Sequence, residues 1–397
     1  KSTEARSGKG APRTALVAAF HAVSLQHQSK FKEAQSVYKE AVPILVDQTR
    51  NDAENDTAST KQQQRTTYLY ENYLSLLAQV AKTDPAQAQS AAAEAFRVAD
   101  LAKSSGVQRA LTASAARANI KDPQLAQLAR KEQDLQRRVN SLSELLTGLL
   151  AAPPEQQLPS VQARIRQDIA SFKTEREGLK KEIERKYPDY AEMVEPKPAT
   201  VERTRALLRA DEVLVSWYFA EKEAYVWAIS KSSIPLFKAV ALGRSEMARQ
   251  VGHLRKALDP GVATIDEIPP FDVKAAFQLY QQILAPVHEG LKGKKVLLVV
   301  PHAELGQLPL SVLVTQDTPL ADKQGTPFAG YRALPWLVRD IAIAQLPSVT
   351  ALTALRNTPR LPVQSSSARR TNTVRAARVE IDSRDGQTLL AGERRIL

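Results

Sequence analysis

The side chains that could do chemistry are few in this 397-residue chain. It contains five histidines, His21, His27, His253, His288 and His302, and no cysteine. Without a thiol, disulfides, thiolate metal sites and a cysteine nucleophile are excluded. No two histidines stand at the i, i+4 spacing that places two ligands on one helix face, and none sits in an H-E-x-x-H order, so no zinc site is assigned. His302 follows a short apolar run, where α/β folds often place functional groups, and Ser311 lies downstream. No G-x-S-x-G surrounds any serine, however, and a His302/Ser311 hydrolase is only a minor alternative. The run Gly290-Leu291-Lys292-Gly293-Lys294-Lys295 is rich in glycine and lysine but precedes its strand, whereas a phosphate loop follows one; it reads as a turn. No catalytic, cofactor-binding or metal-binding residue is therefore assigned, and no cofactor is expected.

The net charge of +12 invites a reading as a binder of phosphates. From Arg356 onward nine arginines face four acids, so much of the excess sits in a C-terminal segment that reads as a solvated basic tail. No interleaved aromatic and basic surface accompanies it, and nucleic acid is not the expected partner. No run of eighteen apolar residues is present, so no membrane span is expected. The start, Lys1-Ser2-Thr3-Glu4, has neither an initiator Met nor an apolar signal core and looks cut. A soluble protein is expected, in the cytoplasm or, if an export signal preceded Lys1, in the periplasm.

The elements that would position these residues change character along the chain. Ala18, Ala22 and Leu25, a break at Gln28–Lys30, then Phe31, Ala34, Tyr38 and Ala41 have helical spacing and form one helical hairpin. The second set has the small/aromatic spacing of a tetratricopeptide repeat. Tyr68–Val80 and Pro85–Lys103 give a second hairpin, with Asp84 as cap and Pro85 at the first helical position. The polar stretch Asn51–Arg65 between them reads as a helix end plus loop. Between Asp122 and Lys186, Leu125, Leu128, Leu135, Val139, Leu142, Leu146 and Leu149 form an a/d seam interrupted at Glu132. A second seam, Ile165, Ile169, Phe172, Leu179 and Ile183, is interrupted at Arg176. Joined by a proline-rich turn, the two should fold back as an antiparallel coiled-coil hairpin, either a packing arm or a partner-binding surface. Pro188–Ala199 breaks the helical pattern.

Beyond it Val213–Phe219 and Ala224–Ile229 read as a β-hairpin, extended by Ile234–Val240, with Trp217 and Trp227 as cross-strand packing on a hairpin whose edge could also receive a peptide strand. Helices are expected near Ser245–Leu258 and Phe271–Lys292, and Val296–Val300 as a buried central strand. The fold class is α + α/β: residues 1–120 as TPR-like helical hairpins, 121–195 as coiled-coil hairpin and linker, and 196–397 as an α/β domain with a basic tail.

Two stretches are the most informative. Val299-Val300-Pro301-His302-Ala303-Glu304-Leu305-Gly306-Gln307-Leu308-Pro309-Leu310-Ser311-Val312-Leu313 and Trp336-Leu337-Val338-Arg339-Asp340-Ile341-Ala342-Ile343-Ala344-Gln345-Leu346-Pro347-Ser348-Val349-Thr350-Ala351-Leu352 together closely resemble the CHAT family. Its members are caspase-like domains that commonly follow tetratricopeptide repeats. His302 stands where the family usually has Asp, and Leu310 where it usually has Phe. Ser104–Leu111 and Tyr187–Ala191 are similar to linker helices of bacterial members. The resemblance implies a caspase-like cysteine peptidase, with a His and a Cys at the ends of two later strands in segments like H-F-A-T-H-G and L-S-A-C-x-T. Neither segment is present. Leu361–Asp385 lacks the glycine-containing strand expected there, and Leu389–Arg395 resembles the piece before the His strand. The expectation is thus the N-terminal part of a CHAT protein, stopping short of the dyad, with a protein partner or substrate held by the helical repeats. The alternative is a non-catalytic interaction scaffold.

Overall fold

The computed structural model describes residues 12–54, 60–103, 117, 120–151, 153, 158–194, 198–262, 264–320 and 328–357. Helices α1 (Pro12–His27) and α2 (Phe31–Glu54) form the first hairpin, and α3 (Thr60–Thr83) and α4 (Ala88–Lys103) the second. The inward face of α1 is Ala15, Ala19, Ala22, Val23 and Leu25; Ala22 and Leu25 are buried as expected, and Ala18 packs partly buried at the margin. Small residues there let α2 lie close, and its Ala34, Tyr38 and Ala41 are buried as expected. The Tyr38 ring stacks on Tyr73 of α3 at 4.6 Å, joining the two hairpins. Helix α3 begins at Thr60, inside the stretch expected to be loop. Asp84 caps the turn before α4, accepting from the Ala86 N–H at 3.1 Å, but Pro85 lies in that turn and the helix starts three residues later.

Helices α5 (Pro123–Ala151) and α6 (Pro159–Lys186) form a second kind of unit, a long hairpin. Leu125 of α5 shares a small core with Ile183 of α6. Seven residues further along α5 and seven earlier in α6, Glu132 accepts a 2.6 Å bond from Arg176. Equal steps in opposite directions mean antiparallel helices in register. The two polar interruptions of the seams are therefore each other's partner, nearly buried at 11% and 12% exposure. Pro188, expected to end helical structure, opens the short helix α7 (Pro188–Val194), because proline suits a first helical turn whose N–H groups lack partners anyway. Helix α8 (Val201–Leu207) follows, capped by Thr200.

Strands β1 (Glu212–Phe219), β2 (Ala224–Ser230) and β3 (Leu236–Val240) form an antiparallel meander, and β4 (Val296–Val300) and β5 (Ala342–Gln345) extend the other side of β1 in parallel, giving the order β3-β2-β1-β4-β5. Every residue of β1 and β2 is buried. Period-two alternation divides them between two cores. Val213, Val215, Trp217 and Phe219 face a core built with α9 (Arg244–Leu258) and α10 (Val273–Ile283), which lie in the crossover from β3 to β4. Leu214, Tyr218, Tyr225, Trp227 and Ile229 face a core continuous with α1–α4 and with Val349 and Leu352 of α12 (Val349–Asn357), the helix after β5; the one-turn α11 (Leu337–Asp340) precedes β5. The helical hairpins are thus the roof of one sheet face.

Trp217 and Trp227 lie on opposite faces rather than against each other. The Trp217 indole donates to the Ile283 carbonyl at 2.9 Å, and that of Trp227 to the Ala92 carbonyl of α4 at 3.1 Å. Cross-strand packing holds for Trp227, whose ring stacks on Phe237 of β3 at 4.9 Å. Gly243, before α9, is required by close approach: a Cβ there would stand 2.3 Å from the Glu221 carbonyl oxygen of the β1–β2 turn. Arg356, counted with the basic tail, belongs to α12 instead: it pairs with Glu212, buried at the start of β1, and donates to the Leu207 carbonyl. The other tail arginines, Ser104–Leu111, Leu361–Asp385 and Leu389–Arg395 lie outside the described residues.

Candidate functional site

Where the helical roof meets the C-terminal ends of parallel strands β1 and β4, polar and ionisable groups collect in an otherwise apolar core. Alternation turns Ser216 of β1 toward the roof, and it is 1% exposed. Lys103, the last residue of α4, donates to the Ser216 hydroxyl at 2.7 Å. One turn earlier on α4, Asp100 accepts from the Ala199 N–H at 2.9 Å, fixing the chain that leads into the sheet. Burial raises the Asp100 carboxyl above its ordinary range, while the Ala199 N–H and Lys103 pull it back. Burial lowers Lys103 to about 8, and the nearby Asp100 carboxylate partly opposes that.

A second group lies one pleat further along β1. Glu71 of α3 accepts from the Tyr218 hydroxyl at 3.2 Å and from Arg244 at 2.6 Å. Arg244 also donates to the Phe219 carbonyl, so a single guanidinium ties the first residue of α9, the end of β1 and the roof. Desolvation raises the Tyr218 phenol well above its ordinary value, with the Glu71 charge next in effect.

His302 joins this group from the end of β4. Its ring stacks on Tyr218 at 4.6 Å, and Nδ1 accepts the Phe219 N–H at 2.9 Å, which makes Nδ1 the unprotonated nitrogen. Burial first, then the charges of Lys103 and Arg244, lower His302 to about 3, so it is neutral at physiological pH. The next residue, Ala303, takes φ 53°, a left-handed conformation costly for a side chain with a Cβ. The chain is bent there immediately after the histidine.

A serine bonded to a lysine of lowered pKa has the composition of a Ser-Lys nucleophile pair. Burial decides otherwise: Ser216 lies under the roof on an interior strand, with its hydroxyl occupied by Lys103. The arrangement holds the roof on the sheet. His302 is spent on Phe219 and Tyr218, and Ser311 lies half-buried on a 3-10 turn, Leu310–Val312, without a role in this group. The other histidines are dispersed. His253 pairs with Asp272 at 2.9 Å, His288 bonds Tyr280 at 3.1 Å, and His21 and His27 are exposed. Gly290–Lys295 forms the turn ahead of β4, with Gly293 at φ 71°. Among the described residues no cluster of His, Asp and Glu could hold a metal ion, and no helix is long and apolar enough to cross a membrane.

Sequence reasoning passed over Lys103, Asp100, Glu71 and Arg244. The only local signal was Ser216, the one polar residue inside an apolar strand, which requires a buried partner somewhere.

No curated protein and no solved structure matches the chain. The family model of the CHAT domain matches residues 273–387, a stretch that begins at α10 and takes in β4, the His302 turn and β5.

Proposed function

We propose that this chain is a TPR-CHAT protein, in which residues 1–120 are TPR-like helical hairpins that bind a protein partner, 121–195 a coiled-coil hairpin and linker, and 196–397 the front part of a caspase-like α/β domain. The CHAT match over residues 273–387 supports the peptidase-family reading, and bacterial origin follows from the resemblance of the linker segments. The chain has no cysteine, so it carries no thiol nucleophile of its own. It acts by binding.

One observation carries the partner-binding reading. On the outer side of the roof, Val17, Phe20 and Tyr68 are 49%, 40% and 47% exposed, and the Phe20 and Tyr68 rings stack at 6.3 Å. A stacked, exposed aromatic pair on rigid helices has the chemistry of an interface anchor. The test is affinity capture with the full chain and with Phe20→Glu/Tyr68→Glu, both checked for an unchanged thermal midpoint. Partners retained by the first and lost by the second support the reading; an identical set from both overturns it. Deleting the helices would be a poorer test, because it strips the roof from β1 and β2.

The scaffold alternative, without any peptidase role, is favoured by the burial of Ser216 with its bond from Lys103 and by the bond that half-buried His302 accepts from the Phe219 N–H. On that reading the CHAT portion is a platform and the helices select the partner.

A further inference from the structure

The turns of the two helical hairpins enclose a cleft of about 410 Å³ that the α/β portion does not touch; Lys30, Phe31, Lys32, Gln35, Val80 and Asp84 are among its lining residues. On one side is the N-terminus of α2, a helix of 24 residues. The residue before it is Lys30, which has no side-chain oxygen with which to cap. Among the described residues, no hydrogen bond takes up the N–H groups of Phe31, Lys32 and Glu33. They are donors left open beside a positive helix end.

An independent observation lies one turn into the helix. Gln35 is 8% exposed, lines the cleft, and its amide has no hydrogen-bond partner among the described residues. Buried amides of this kind are normally hydrogen-bonded. Gln35 lines the cleft and its amide is not sealed from solvent, so a group in the cleft can supply the partner that the fold does not.

The charges select the ligand. Lys30 and Lys32 are exposed, make no ion pair among the described residues, and flank the open N–H groups. Two acids also line the cleft. Asp84 is taken up by its own turn, one oxygen accepting from Ala86 N–H and the other from the Gln87 amide at 2.8 Å, and Glu33 is exposed, so its carboxylate keeps its water. Donors at the α2 end therefore outnumber acceptors. Phe31 and Val80 add an apolar wall of a size suited to a side chain's methylenes.

We propose that this cleft binds an acidic side chain of a partner polypeptide, the carboxylate on the α2 N–H groups, Lys30 and Lys32, with the Gln35 amide as a further donor. The proposal rests on the reading of the helices as partner-binding and names the chemistry they select. Fluorescein-labelled hexaglutamate and hexaglutamine would be titrated by anisotropy against the full chain, Gln35→Leu, Lys30→Gln/Lys32→Gln, and a remote control, Lys238→Gln/Lys256→Gln.

The expected result is saturable binding of hexaglutamate only, weakened about tenfold or more by Gln35→Leu and by the Lys30/Lys32 pair, and unchanged in the control. The lysine pair is exposed, so its result stands even if Gln35→Leu misfolds. Absence of saturable binding overturns the proposal, as does equal weakening in the remote control, which would mean diffuse attraction to a basic chain. Full displacement by free glutamate at the same carboxylate concentration overturns the assignment to a polypeptide. Partner capture that survives Gln35→Leu but not Phe20→Glu/Tyr68→Glu would remove the cleft and leave the partner-binding reading standing.

Discussion

Lys103 is the residue on which the joint between roof and sheet turns. Its ammonium is inserted beside Ser216 and Asp100, and burial sets its pKa near 8, below the ordinary lysine value of 10.5. The sign of the consequence follows from proton counting. Between those two values the unfolded chain holds a proton on this lysine that the folded chain has released, so stability rises with pH across that window. Below about 8 the lysine is charged in both states and its desolvation cost is fully present. Replacement by a flexible apolar side chain removes both the cost and the slope. Lys103→Met is therefore expected to flatten the rise in urea-unfolding free energy between pH 7.5 and 9.5, a rise of at most about 2–3 kcal/mol in the parent chain. A slope equal in both proteins would assign it to other groups. His302 works in the opposite range: neutral when folded, it contributes stability that is lost as pH falls from 6.5 toward 3.

Among the elements, the α5–α6 hairpin carries an ion pair at matching positions of its two seams. Glu132 and Arg176 occupy seam positions that leucine would fill, and each is nearly buried against the other. Taking one partner away leaves a buried charge, costing about 3–5 kcal/mol, whereas replacing both with apolar residues is often neutral or stabilising. Arg176→Leu is thus expected to collapse amide-exchange protection along the hairpin while Glu132→Leu/Arg176→Leu restores it. Equal loss in both variants would mean that packing, not charge, is the cause. The seam itself was plain in the sequence, since its period is local. That its two interruptions would meet was not, because nothing within either helix states the length of the connecting turn in space. The β1–β2 hairpin was legible for the same local reason; the break after α6 was legible too, but not that Pro188 opens a new short helix, because proline opens helices as readily as it ends them.

At the scale of the whole molecule, the sequence showed helices followed by an α/β layer but not that the helices cover the sheet. The clue was present in Val213-Leu214-Val215-Ser216-Trp217-Tyr218-Phe219, apolar at both alternations, which requires a cover on each face. Which element covers which face depends on contacts more than a hundred residues apart, such as Trp227 to Ala92 and Tyr218 to Glu71, and no local period encodes them. The candidate site was hidden for this reason: its members come from α3, α4, β1, β4 and α9, and only together do they form a polar joint. The proposed binding role rests on that joint, which closes over Ser216 and engages His302. The most direct measurement is peptide-bond hydrolysis by the purified chain, followed with a pool of fluorogenic peptides. The expected result is release no faster than in buffer, for the parent chain and for Ser216→Ala and His302→Asn alike. Cleavage by the parent chain that either substitution abolishes would contradict it.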